Sequence, residues 1–149
     1  MATFALAAMQ LLAPNRDHAP LAAAIEARVA LEPPLFRDDA DKRRTTAYLV
    51  AVAFRESSLT VDIAGDHGRS FCAFQIHQSA GGTASLRTNV DACVAKGFDM
   101  LRTSMKICPA HPLAWYAEGG AGSCSSARAQ RISRDRTALA AWLVRSVRP

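Results

Sequence analysis

The sequence changes from apolar to polar directly before Glu56, and this change constrains the fold more than any other feature. An apolar run, AYLVAVAF, ends at Phe54, and the polar run RESS follows it at once. The apolar run predicts a buried helix whose last turn carries Glu56. The residues three, four and seven positions before Glu56 are all apolar. In a helix they share its face, which is therefore the side toward the core.

A carboxyl group at this position is expected to be partly removed from water. Desolvation disfavours the charged form of a carboxylic acid, which suits a general acid that works near neutral pH. Taken alone, the pattern also fits a solvated Glu56 in a fraying last turn. The stretches that follow along the chain favour a functional site.

Two further stretches follow Glu56-Ser57 in order. The first runs from a turn-rich loop, GDHG at 65–68, into CAFQI at 72–76, and the second is WYAEG at 115–119. Together the three stretches resemble the lysozyme-like superfamily, in which the nearest families are the soluble lytic transglycosylases and the goose-type lysozymes. The resemblance covers about half of the chain, from residue 47 to residue 124. Three short motifs in the right order are more specific than any one of them.

In those families a Glu followed by Ser closes a buried helix, a Gly-Leu-Met-Gln-Ile stretch lines the sugar groove, and an Ala-Tyr-Asn-Ala-Gly stretch supplies a Tyr that faces the Glu. The residues of this chain that match are Glu56, Ser57, Gln75, Ile76, Tyr116 and Gly119. The departures are Cys72 for the usual Gly, Phe74 for the usual Met, and Ala117-Glu118 for the usual Asn-Ala.

The resemblance implies an enzyme that cleaves the β-1,4 bond between N-acetylmuramic acid and N-acetylglucosamine in peptidoglycan, without a metal or other cofactor. Glu56 would act as acid and then as base, and the substrate's own N-acetyl group would attack the sugar, giving the 1,6-anhydro product of a lytic transglycosylase. The residues implied to contact the glycan are Ser57, Ser70, Phe71, Phe74, Gln75, Ile76, Tyr116 and Glu118. The Tyr116 hydroxyl would hold either the Glu56 carboxyl group or the N-acetyl group.

Asp66 is the second catalytic candidate. It lies in the loop where goose-type lysozymes keep an Asp that positions water, so the resemblance also allows a hydrolase, or muramidase. The next acid of that family falls at His77 here, which favours the transglycosylase. An Asp before a Gly-bounded turn can equally serve only to cap the turn.

Three other classes of function compete with these. Cys72 could be a nucleophile with His67, His77 or His111 as its base. The chain could be a lysozyme-like module that binds glycan without cutting it. It could also be a basic helical protein that binds nucleic acid, although no series of aromatic residues interleaves with the C-terminal arginines as a stacking platform would require, so no nucleic acid is expected.

The predicted fold is mainly α, an α+β lysozyme-like domain over residues 1–149, with a motif-bearing core at 41–124 and a basic C-terminal helix at 125–148. Helices are expected at 21–31, from about 41 to 58 with Asp caps and with Arg43 and Arg44 on the outer side, from Asn89 onward, and at 113–118. A short β-hairpin is expected around 59–63 and 71–76. Gly97 lies near the apolar stripe of its helix, where close packing would explain it. The last helix would bury Ile132, Leu139, Trp142 and Leu143.

The four cysteines fit disulfides rather than a zinc site, because no spacing matches a zinc pattern. Cys93 and Cys108 lie on one predicted helix, roughly 20 Å apart, which is beyond disulfide reach. Pairing Cys72 with Cys93 and Cys108 with Cys124 is the simplest solution, and the connectivity otherwise stays open. Such bridges would imply a site outside the cytoplasm.

The formal net charge is +5, and fifteen of the eighteen basic residues are Arg. Arginines of the last helix could contact the anionic cell envelope or form an ordinary solvated face. The N-terminal segment lacks a basic n-region and is a poor signal peptide, and the longest apolar run is too short for a membrane helix. We expect a monomer that acts in the periplasm or outside the cell, either after removal of a signal peptide or delivered by another secretion route or by a phage.

Overall fold

The computed structural model describes residues 3–148, so both ends of the predicted domain 1–149 lie outside the described residues. The described residues form six α-helices and three short strands, and the prediction of a mainly helical fold with a small hairpin is confirmed. In chain order the elements are α1 (Phe4–Leu12), α2 (Ala19–Leu31), α3 (Arg43–Ser57), β1 (Ala64–Gly65), β2 (Ser70–Phe71), β3 (Ile76–His77), α4 (Val90–Ile107), α5 (Ala114–Glu118) and α6 (Ala127–Ser146).

Helix α3 is the central element, because every residue from Thr45 to Ala53 is buried. It packs against α1, α2 and α6. The N-cap position is Lys42 and not an Asp as predicted, but Asp39 accepts hydrogen bonds from the amides of Arg44 and Thr45 in the first turn. The helix ends as Ser58 enters the left-handed region at φ 53°, one residue after the predicted Glu-Ser pair. This ending leaves Glu56 in the last turn, as predicted.

The three strands form one antiparallel sheet in the order β1-β2-β3. Ala64 lies opposite Phe71, and Ser70 lies opposite His77. The first strand begins just after the predicted segment 59–63, which is not itself a strand. Leu59 has a positive φ of 65° and is buried, so its segment turns into the core instead of pairing.

Helix α4 begins as predicted at Asn89, whose side chain accepts the Ala92 amide. Its buried face includes Val94, Phe98 and Leu101. Gly97 lies on the same face, and a Cβ added there would come within 2.5 Å of the Phe74 ring. Close packing therefore accounts for this glycine.

Both predicted disulfides are present. Cys72 pairs with Cys93 at a Cα–Cα distance of 6.2 Å, and Cys108 pairs with Cys124 at 5.2 Å. The first bridge joins the segment between β2 and β3 to α4. The second closes the loop that carries α5.

Two expectations about exposure are wrong. Arg43 does not lie on an outer side, because its guanidinium donates to the carbonyls of Val144 and Val147 and thereby caps the end of α6. Trp142 is 40% exposed and does not belong to the core. Helix α6 instead buries small side chains such as those of Ser133 and Ala140, which allow it to pack closely on the neighbouring helices α3 and α5.

Among residues 3–148, each helix is too short or too polar to cross a membrane.

Candidate active site

Glu56 faces a cavity of about 970 Å³ at the end of α3. Its side chain is 20% exposed, so it is neither buried in the core nor fully solvated. The cavity is bounded by the sheet region, α4, α5 and α6. Its lining includes Asp66, Ser70, Gln75, His77, Lys96, Asp99, Met100, Trp115, Tyr116, Glu118, Arg128, Ile132 and Arg136.

Glu56 forms an ion pair with Arg136 of α6, a residue that lies eighty positions later in the chain. Arg136 Nη2 is 2.6 Å from Glu56 Oε1, and the two side chains are 13% and 20% exposed. The sequence interpretation missed this arginine and treated it as part of a solvated basic face. A signal did exist: Arg136 occupies one position of a stripe at steps of three and four whose other members are buried, namely Ala129, Ser133, Ala140, Leu143 and Val147.

Tyr116 lies beside Glu56 but does not hold its carboxyl group. The Tyr116 hydroxyl donates instead to the backbone carbonyl of Phe74, at 2.5 Å, and the Tyr116 amide donates to Ser104 Oγ at 3.0 Å. Burial raises the pKa of Tyr116 well above its usual value, the negative charge of Glu56 raises it further, and Arg136 acts in the opposite direction. Tyr116 is therefore a neutral hydroxyl that fixes α5 to the segment before β3.

Asp66 lines the same cavity as Glu56, as the resemblance implied. It has a left-handed backbone conformation at φ 50°, as does the next residue, His67, at φ 55°. Asp66 Oδ2 accepts a hydrogen bond from Ser70 Oγ at 2.5 Å. The carboxylate is thus oriented by β2 and is available to the cavity.

The side chain of Gln75 is positioned by its own backbone conformation and by the absence of a side chain at Gly65. Its φ is 48°, and its side-chain amide donates to the Cys72 carbonyl at 3.0 Å. Its side-chain oxygen lies over Gly65, where an added Cβ would be only 2.1 Å away. Only glycine at position 65 leaves room for this arrangement.

Six of the predicted site residues meet at the cavity: Glu56, Asp66, Ser70, Gln75, Tyr116 and Glu118. The other four, Ser57, Phe71, Phe74 and Ile76, are not among the residues that line the cavity, and the expected sugar contact is wrong for Phe74 and Ile76. Phe74 and Ile76 are fully buried and support the cavity wall from behind. Phe71 is half-buried and packs on the same core. The buried Ser57 hydroxyl donates to the Ala53 carbonyl, which closes the last turn of α3.

Trp115 is a lining residue that the sequence interpretation named in its motif but did not assign to the site. It is partly exposed, so its ring offers an apolar face to a ligand. Glu118 lies nearby, accepting from Ser126 Oγ at 3.0 Å and pairing with Arg128 at 3.3 Å. The α5 wall therefore combines an aromatic surface with a carboxylate that already has partners.

A cysteine nucleophile at Cys72 is excluded, because its sulfur is bonded to that of Cys93. Within residues 3–148, no group of three or more His, Cys, Asp or Glu side chains is arranged to hold a metal ion.

Comparison with protein-family models, with curated proteins and with solved structures gives no match to this chain. Its functional assignment therefore rests on the residues around the cavity.

Proposed function

We propose that this protein cleaves the β-1,4 bond between N-acetylmuramic acid and N-acetylglucosamine in peptidoglycan, as a lytic transglycosylase with Glu56 as acid and base. The observation that carries the proposal is the convergence of three separate stretches on one cavity. Glu56 comes from the first stretch, Gln75 from the second, and Trp115 and Glu118 from the third. If the three stretches resembled the family only by chance, they would not be expected to meet around Glu56.

The reaction uses Glu56 twice. Protonated Glu56 gives its proton to the glycosidic oxygen as the bond from that oxygen to the anomeric carbon breaks, and the carbonyl oxygen of the N-acetyl group bonds to that carbon. Glu56, now a carboxylate, takes the proton of the sugar's 6-hydroxyl as its oxygen replaces the N-acetyl oxygen. The product is the 1,6-anhydro sugar, no water is consumed, and Glu56 ends protonated.

The cavity suits a glycan in size and chemistry. About 970 Å³ is at the upper end of the range for ligand sites. Its polar walls offer hydrogen-bond partners to sugar hydroxyl and amide groups. The Trp115 ring offers a surface for the apolar face of a sugar ring.

Two disulfides are compatible with an extracellular protein. Peptidoglycan lies outside the cytoplasmic membrane, and we propose that the protein acts there as a monomer. Five arginines remain exposed on and just beyond α6 and are available for contact with the anionic envelope: Arg128, Arg131, Arg134, Arg145 and Arg148.

A second candidate, a hydrolase of the muramidase type, is favoured by Asp66. This carboxylate lines the same cavity and is oriented by Ser70, so it could position a water for attack. A third candidate is a module that binds glycan without cleavage. The pairing of Glu56 with Arg136 favours it, because the arginine occupies an oxygen of the expected acid.

Incubation with purified peptidoglycan sacculi, followed by mass spectrometry of the soluble products, separates these candidates. The transglycosylase releases muropeptides that are lighter by one water than hydrolytic products. Hydrated products would show a muramidase, and sedimentation of the protein with sacculi without release would show a binding module. Absence of both binding and release would contradict the proposal as a whole.

A further inference from the structure

Arg136 is held at the cavity in a way that conflicts with a simple acid mechanism. Its Nη2 contacts a single oxygen of Glu56, at 2.6 Å, and its side chain is only 13% exposed. Its Nε is buried and has no hydrogen-bond partner within residues 3–148. The guanidinium therefore keeps donors that the ion pair does not use.

The proposed reaction starts and ends with a protonated Glu56. In the paired arrangement Arg136 Nη2 donates to Glu56 Oε1, and a charged donor in that position competes with the glycosidic oxygen for contact with the carboxyl group. Catalysis therefore requires Arg136 to leave Glu56 before the chemical step.

Moving a partly buried guanidinium away from a carboxylate costs free energy, because the separated charges lose their partners. Two of the three other carboxylates that line the cavity already pair with an arginine, and the third, Asp66, accepts one hydrogen bond from Ser70. Glu118 pairs with Arg128, and Asp99 lies 3.5 Å from Arg28. A carboxylate brought by the ligand would be an acceptor with no partner in the protein, and a planar guanidinium is suited to binding a carboxylate through two hydrogen bonds.

We propose that Arg136 is a receptor for a carboxylate of the substrate, and that its transfer from Glu56 to that carboxylate frees Glu56 to carry a proton. This inference rests on the proposed function and narrows its substrate class to glycans that carry a carboxylate. A neutral glycan such as chitin leaves Arg136 on Glu56. Arg136 is a positioning residue in this scheme and takes no proton itself.

Peptidoglycan supplies such a carboxylate in two ways. Strands stripped of peptide carry a free lactyl carboxylate on each muramic acid, whereas substituted strands carry carboxylates on their peptide stems. Comparison of stripped strands with stem-bearing strands identifies which of these two carboxylates binds to Arg136.

The kinetic test compares kcat/KM for stem-bearing strands, stripped strands and neutral chitin oligosaccharides. The wild type should prefer at least one carboxylate-bearing substrate to chitin by about tenfold or more, the size expected for a hydrogen-bonded charge pair. Arg136→Gln should remove this preference by slowing cleavage of the charged substrate and not that of chitin. Arg37→Gln is the control, since Arg37 is an exposed arginine outside the cavity lining and away from the basic face of α6, and it should keep the wild-type ratio. A ratio unchanged in Arg136→Gln would overturn the proposal.

A binding measurement tests the receptor independently of catalysis. Titration calorimetry would compare the disaccharide of N-acetylglucosamine and N-acetylmuramic acid, and the same disaccharide with its peptide stem, each as free acid and as methyl ester. Wild type should bind one of the acids more tightly than its ester by about tenfold, and Arg136→Gln should bind both forms equally. Equal affinity of the wild type for acid and ester in both pairs would contradict the receptor. If Arg136→Gln removes the preference for the acid but the wild type cleaves no substrate, Arg136 is a carboxylate receptor and the proposed catalysis is contradicted.

Discussion

The ring of Phe74 packs against Gly97 so closely that a Cβ at position 97 would lie 2.5 Å from Phe74 Cγ. The carbonyl of Phe74 at the same time accepts the hydroxyl of Tyr116. One residue therefore joins the segment before β3 to both α4 and α5. The adjacent Cys72–Cys93 bridge fixes the same segment to α4, so the wall of the cavity is tied down at several points.

Gly97→Ala should destabilise the protein despite the higher helix propensity of alanine. The added methyl group must displace a fully buried ring, and overpacking of this kind costs about 1 to 3 kcal/mol. Denaturant unfolding measures the loss. Gly122→Ala is the matched control, since φ is −83° there and nothing lies within 4 Å of an added Cβ, so its stability should be equal or slightly higher. Equal stability of both variants would contradict the packing described for Phe74.

Tyr116→Phe should lower the free energy of unfolding by about 1 to 3 kcal/mol at neutral pH, because the Phe74 carbonyl loses its donor. The difference should then depend on pH. The pKa of Tyr116 is raised in the folded state, so its stabilising effect is complete below the unfolded value of about 10 and is lost as pH rises above it. The wild type should therefore lose more stability than the variant between pH 8 and pH 11. A constant difference over that interval in urea unfolding would be inconsistent with the raised pKa.

The double variant Cys108→Ala, Cys124→Ala should lose about 3 kcal/mol of stability, the chain-entropy value for a loop of this size. The bridge closes the loop that carries α5, so hydrogen exchange of residues 109–123 should speed up more than that of α3. Muropeptide release should fall because Trp115 and Tyr116 lose their fixed position. An undiminished unfolding midpoint would show that the loop is held by its other contacts.

Five of the six helices of residues 3–148 could be predicted because their signals are local, whereas α1 (Phe4–Leu12) was not predicted. The apolar run that ends at Phe54 gives α3, the side chain of Asn89 starts α4, and that of Ser126 starts α6. Helix length excluded a bridge between Cys93 and Cys108, which lie at opposite ends of α4, and of the two pairings left the simpler one is present. These conclusions use only neighbours in sequence and the fixed rise of a helix.

The charge environment of Glu56 could not be predicted in the same way. It depends on the register of α6 against α3, which brings Arg136 to a carboxylate eighty positions away. The motif residues Phe74 and Ile76 were misplaced for a related reason. A motif identifies residues near a groove but does not say whether each side chain faces the groove or the core. The side chains of Phe74 and Ile76 are buried in the core.

Asp66→Asn distinguishes the two proposed reactions, transglycosylation and hydrolysis. If the product is the 1,6-anhydro sugar, Asp66 takes no part in water activation and Asp66→Asn should retain activity within about tenfold, because Asn keeps an oxygen for the Ser70 hydrogen bond. Liquid chromatography with mass spectrometry measures both rate and product. Hydrated muropeptides from the wild type, together with an inactive but folded Asp66→Asn, would identify a muramidase.

The most direct test of the central claim is release of muropeptides from sacculi by Glu56→Gln. The variant keeps an oxygen that can accept from Arg136, so it should fold with a loss of only about 1 to 2 kcal/mol. Asp135→Asn removes a carboxylate of α6 outside the cavity and should release muropeptides like the wild type. We predict that Glu56→Gln lowers release by at least about a hundredfold, the smaller end of acid-base contributions. Release by folded Glu56→Gln at close to the wild-type rate would contradict the assignment of Glu56 as the catalytic acid.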